Sequence, residues 1–274
     1  MGTSTSRRGP TGGKFKTARS DITRMAGQVH ETSKDISVSS EDVADDISPR
    51  AEQTVGRVGQ KLRDGLRDTL NEDRDAFNIL STIEQSGHRL VDVLEDLRTS
   101  GVNVLIENDV ADPVERQDIF IREFVDRVAG PGGLITDCVM RRAAAHVATK
   151  LVTEREEVGH AVRHGSDERI SGEIFCWIYA LFFADAVSEF LVSIVAEKIK
   201  ITLPIFYLDP TGMLARWIAE KIVGLIPDPC QEQEDAVDGI KSAYNQISTL
   251  GEIAHGLVET ATAVSLNIGD LEAS

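Results

Sequence analysis

Cysteine is scarce: the 274 residues hold three, Cys138, Cys176 and Cys230. They are far apart, odd in number and contain no Cys-x-x-Cys pair. That usage supports neither a zinc ribbon nor a disulfide framework. A reducing cytoplasm suits it, and a cytoplasmic location is expected. No apolar run follows the basic N-terminus, so nothing there reads as a secretory leader. Motifs of enzyme chemistry are missing too. The sequence has no Gly-x-Ser-x-Gly, no His-Glu-x-x-His and no Gly-x4-Gly-Lys-Ser/Thr. No nucleophile–base pair emerges. The chain is therefore read as a non-enzymatic protein, with no catalytic residue, cofactor or metal assigned.

Positive charge is scarce outside the start of the chain. The net charge is −16, but residues 1–24 carry Arg7, Arg8, Lys14, Lys16, Arg19 and Arg24 against Asp21 alone. That segment is +5, which leaves −21 on the remainder. Phosphate binding needs clustered Lys and Arg, so the acidic body argues against direct nucleic-acid binding. Only the basic start could touch a polyanion, and a short basic tail is first of all a solvated one.

What is present is helical periodicity. Residues 1–13 contain four Gly and five Ser or Thr and, past Met1, no large apolar side chain; they read as a disordered arm. The start Met1-Gly2 favours removal of the initiator methionine, which would leave a free Gly2 amine on a tether. Residues 14–50 read as a short basic amphipathic helix followed by an acidic linker, with a helical turn near Ser40. The body is 51–274. Within it, 51–98 carries Val55, Val58, Leu62, Leu66, Leu70, Phe77, Leu80, Ile83, Leu90, Leu94 and Leu97 at helical steps, with a break at Asn71 or Gly87 allowed. Val102–Glu107 has some strand character. Asp112-Pro113-Val114-Glu115 predicts a helix start, repeated by Asp209-Pro210 and Asp228-Pro229. That helix should end at Gly130-Pro131-Gly132-Gly133, with a second from about 134 to 157.

The hydrophobic helical core is placed within 113–226. Nine of the fourteen aromatics fall between Phe175 and Trp217, and Ile174–Ala184 runs for eleven residues without a polar break. Residues 230–268 show a near-heptad stripe suited to packing on another long helix, such as 51–98, in an antiparallel hairpin. The expected fold is all-α: an irregular helical bundle with a long helical hairpin and a disordered N-terminal arm.

Each polar motif has a plain reading beside the functional one. Extended to Ala196, the apolar run is long enough to cross a bilayer, which makes 174–196 a membrane-associating or pore-forming segment in one reading. Asp185 and Glu189 oppose it, since an acid at the centre of a spanning helix costs about 3 kcal/mol. These two share a helical face and either border the core or bind a basic partner such as the arm residues Arg7, Arg8, Lys14 and Lys16. His160 and His164, with Glu156 a turn earlier, have metal-ligand spacing, but flanking glycines make them a polar turn. Gly130–Gly133 follows a helix rather than a strand and reads as a turn, not a phosphate cradle. Cys138 and His146 on one apolar helix read as core. Met1–Ser6 fits the Met-Gly-x-x-x-Ser myristoylation pattern, which requires a eukaryotic modifying enzyme.

Two stretches carry a family resemblance. Gly2-Thr-Ser-Thr-Ser-Arg-Arg-Gly-Pro10 with Phe15-Lys-Thr-Ala-Arg19 resembles the start of the QatB proteins of the bacterial Qat anti-phage system. Phe124–Ala145, in which a Val-Asp helix ends in Pro-Gly-Gly before an Ala-rich helix, is similar to that family's mid-chain pattern. Here Ala129-Gly-Pro-Gly-Gly133 stands where family members tend to have Cys-Pro-Pro-Gly-Gly. The resemblance implies a defence-system component whose partners are an ATPase, a QueC-like enzyme and a TatD-like nuclease. It also implies N-terminal modification by the QueC-like enzyme, at Gly2 in this chain.

Overall fold

The computed structural model describes residues 42–74, 76–106, 110–130, 135–202, 210–240 and 249–268, with Gly13 and Thr17. Gly2, Arg7, Arg8, Lys14 and Lys16 lie outside the described residues, as does most of the basic segment 14–29. Of the described part, 86% is helical and none is strand, so the fold is all-α as expected. In chain order the helices are α1 (Asp42–Glu72), α2 (Ile79–Ser100), α3 (Pro113–Ala129), α4 (Ile135–Glu154), α5 (Glu156–His164), α6 (Gly172–Thr202), α7 (Pro210–Val223), α8 (Pro229–Ile240) and α9 (Leu250–Ser265).

The apolar run becomes α6, which packs against α2, α4, α7, α8 and α9. A helix that is hydrophobic all round is stable only when covered all round. Phe175, Tyr179, Phe182 and Phe183 are fully buried, each contributing on the order of 2–3 kcal/mol by leaving water. The Tyr179 hydroxyl donates to the Ala254 carbonyl at 3.3 Å, and burial pushes its pKa up. Gly87 is no helix break. A Cβ there would sit 2.7 Å from the Phe183 ring, so the glycine lets α2 approach α6 closely. Gly59 likewise seats the Trp217 indole of α7 against α1.

Helix α9 lies antiparallel on α2: Gly87 meets Val258 at one end of the contact and Glu95 meets Gly251 at the other. This is the packing that the stripe in 230–268 predicts, but the stripe is two helices, α8 and α9. Thr249 opens α9 with a reciprocal capping box to Glu252.

The helical pattern over 51–98 has the break allowed near Asn71, after Glu72, and between the two helices Phe77 (φ 68°) and Asn78 (φ 52°) adopt left-handed backbone. Other expectations are corrected. Residues 42–50, read as linker, belong to α1; their acidic run suits a helix start. Val102–Leu105 forms a 3-10 turn rather than strand, closed by local bonds from the Val104 amide to the Gly101 carbonyl at 3.3 Å and from the Ile106 amide to the Asn103 carbonyl at 3.0 Å, with Val102 and Leu105 buried. The helix predicted over 134–157 ends at Glu154, and the polar turn around His160 and His164 is helix α5. Val158, Ala161 and Val162 give α5 a buried apolar face, and Gly159 closes on the Val152 carbonyl.

Asp112 caps α3 as its sequence requires, accepting from the Val114 and Glu115 amides at 2.9 Å each. Arg116, one turn on, is buried and fully engaged. Its guanidinium donates to the Val162 carbonyl at 2.8 Å, the Val110 carbonyl at 3.1 Å and Asn103 Oδ1 at 2.7 Å. One side chain thus ties α3 to α5 and to the 3-10 turn.

Candidate functional site

Three polar clusters sit where helices meet. The first joins α4 and α6. Asp185 projects from the most apolar helix and is 4% exposed, so its carboxylate needs a partner. His146 of α4 supplies it: Nδ1 lies 2.7 Å from Asp185 Oδ2, while half of the imidazole side chain stays exposed. The hydrogen bond to Asp185 raises the His146 pKa above its ordinary value; burial opposes this, and the charges of Asp185 and Glu189 add to it against Lys150. A turn further along α6, Glu189 approaches Arg142 of α4 at 3.7 Å. Asp185 is therefore internal, and a docking molecule would meet His146, Arg142 and Glu189 at the rim. His146 is not core, contrary to the expectation from its apolar helix, and neither is Cys138, which is exposed. The eight-residue step from one to the other spans roughly 12 Å of helix, too far for a nucleophile–base contact along one rod.

The second cluster lies between α2 and α9, and no sequence motif announces it. His88 Nδ1 and His255 Nδ1 are 3.0 Å apart, with near-parallel rings whose centroids are 5.3 Å apart. His255 Nε2 lies 3.1 Å from Asp92 Oδ1. Glu84 stands one turn before His88 and Glu259 one turn after His255, which places both at one level of the antiparallel pair. Burial and then the Glu259 charge raise the Glu84 carboxyl above its ordinary range, against Arg74. The available signal was the matched spacing Glu84-x3-His88-x3-Asp92 and His255-x3-Glu259. It becomes visible only once the two helices are known to be partners.

The third is covalent. Cys176 and Cys230 form a disulfide across 54 residues, which corrects the expectation that no disulfide is supported. Sequence spacing carries no signal for a pair so far apart; the turn that brings the start of α8 back to the start of α6 creates it. Asp228 lies close enough that its carboxylate and the two sulfurs fall within 4.8 Å of one another. In the disulfide no thiolate is left to ligate a metal, and Asp228 serves the α8 start by accepting from the Cys230 amide at 2.9 Å.

The His160 and His164 rings lie against each other on α5, tilted by 41° with centroids 4.4 Å apart. Beside them, Glu156, Glu157, His160, Ser166 and Glu168 line an open polar cleft of about 450 Å³. No protein-family model, curated protein or solved structure matches this chain.

Proposed function

We propose that the protein is a non-enzymatic helical component of a bacterial anti-phage defence system whose Gly2 is modified by a QueC-like enzyme. The observation that carries this reading is the N-terminal sequence. Its Met-Gly start, Gly/Ser/Thr composition and Arg7-Arg8-Gly9-Pro10 continuation are where the QatB resemblance begins. Gly2 has no side chain and suits a narrow active site, and the arm is long enough to thread into one. The body supplies the docking surface for the system's ATPase, QueC-like enzyme and TatD-like nuclease. Arg142 and Glu189 offer both signs of charge at the α4–α6 rim, with His146 between them in sequence, a mixed polar surface of the kind protein partners read.

Intact-mass measurement of the chain co-expressed with its neighbouring genes tests the reading. A mass increment on a fragment beginning at Gly2 is expected. Retained Met1, or an unmodified Gly2 in the presence of an active QueC-like enzyme, would overturn it.

A second reading rests on α6. Gly172–Ser193 is, among the described residues, the one helix long and apolar enough to cross a membrane. In this fold 83% of that window is buried, so membrane action by 174–196 would require α6 to leave its five partner helices. Liposome flotation separates the two readings: co-flotation at neutral pH favours the membrane reading, and protein that stays at the bottom of the gradient removes it.

A further inference from the structure

We propose that the α2–α9 seam is a binding site for a transition-metal cation of the zinc type, held by His88 Nδ1 and His255 Nδ1 and completed by the carboxylates of Glu84 and Glu259. The argument begins with the contact between the rings. Two imidazole nitrogens 3.0 Å apart cannot both present lone pairs unless a proton or a cation stands between them. Asp92 decides which nitrogen of His255 is free. Its Oδ1, 3.1 Å from Nε2, takes the Nε2–H and leaves the Nδ1 lone pair aimed at His88. A histidine that gives its distal N–H to a carboxylate while its other nitrogen points into a cluster is the arrangement of metal-ligating histidines.

The spacing fits. Zinc–nitrogen bonds of about 2.0–2.1 Å at a tetrahedral angle put two ligand nitrogens about 3.3 Å apart, a few tenths of an ångström from the distance seen. Without metal, a proton on His88 Nδ1 satisfies the contact. Moving that proton to Nε2 of the same ring frees both Nδ1 atoms, with no change in net charge.

The two carboxylates would supply the rest of the set. Glu84-x3-His88 and His255-x3-Glu259 are i,i+4 pairs on antiparallel helices, so each Glu stands one turn from its His at the same end of the seam, and a change of side-chain rotamer would bring its carboxylate to the cation. Gly87 sets the close approach of the two helices, since a Cβ there would be 3.0 Å from Val258 Cγ1. Glu84 and Glu259 are like charges at one level; Arg74 offsets them in part, and a cation between them would offset them further. Two imidazoles select zinc, copper or nickel over magnesium and calcium, which want oxygen alone. The cation would staple α2 to α9.

The test is titration of the chelator-stripped full chain with zinc chloride and, in parallel, magnesium chloride, followed by calorimetry. One equivalent of zinc and no magnesium is expected. His88→Gln and His255→Gln should each weaken zinc at least tenfold, and Asp92→Asn, a positioning change, about ten- to a hundredfold. The double variants His160→Gln/His164→Gln and Cys176→Ser/Cys230→Ser should keep the site. Histidine 15N spectra of the unaltered chain give a readout that needs no variant: two Nδ1 resonances should shift with stoichiometric zinc. Absence of zinc binding, equal binding of magnesium, or zinc binding indifferent to His88 and His255 would overturn the proposal.

Discussion

His146 and Asp185 share a hydrogen bond of 2.7 Å between a half-exposed imidazole and a carboxylate sunk in the core. The bond raises the imidazole pKa in the fold, so the protonated form is the one the fold prefers. The resulting stability is fully present below the unfolded histidine pKa, about 6.5, and is lost as pH rises through the higher folded value. The groups facing the ring are Asp185, Glu189 and Lys150. Melting temperatures at pH 6 and pH 8 should therefore differ more in the wild type than in His146→Gln. An equal pH difference in both proteins would assign the slope elsewhere. Asp185→Ala should cost about 1–3 kcal/mol at pH 6, because it removes the bond and leaves a gap in α6.

Two glycines should respond in opposite senses. The Trp217 ring occupies the space a Gly59 side chain would need, and Gly59→Ala should destabilise by about 1–3 kcal/mol. Gly256 lies within α9, and a Cβ on it would meet nothing within 4 Å, so Gly256→Ala should stabilise by up to about 1 kcal/mol. Urea denaturation of the two variants checks both signs together.

The Arg116 clamp predicts a failed conservative change. Arg116→Lys replaces a fork of donors by a single ammonium and cannot reach Val162, Val110 and Asn103 at once. Both Arg116→Lys and Arg116→Met should lose about 2–4 kcal/mol, by the cost of stranding buried polar groups. Faster amide exchange in α5 than in α9 would locate the damage.

Reduction should be felt globally. Closing a loop of 54 residues removes denatured-state entropy equivalent to roughly 4 kcal/mol in the chain-entropy account. A reductant should lower the melting temperature of the wild type and leave Cys176→Ser/Cys230→Ser unaffected. If reductant lowers both melting temperatures equally, the bond contributes nothing.

Local signals were legible where one stretch of chain decides the outcome. Asp112-Pro113 begins α3 with the cap its residues prescribe, and the apolar run at Ile174 becomes the buried α6. The left-handed pair Phe77–Asn78 was not legible, because aromatic residues seldom take that backbone and Phe77 does so while packing 5.9 Å from the Phe190 ring. The polar clusters were hidden for a different reason. His88 and His255 stand 167 residues apart and Cys176 and Cys230 54 apart, so only the folded packing makes them neighbours. Asp185 stood out as an acid in an apolar helix, but its partner lay half-exposed on another helix, with no local pattern to mark it.

The position of α6 in the chain also sets a schedule. During synthesis its aromatic surface is complete by Ser193, yet α9, which covers part of it, does not begin until Leu250. At a ribosomal rate of about 5–20 residues per second, that interval lasts on the order of three to eleven seconds. For that time the most apolar helix of the protein waits for a neighbour that has not been made, and a chaperone or a lipid surface has first access to it.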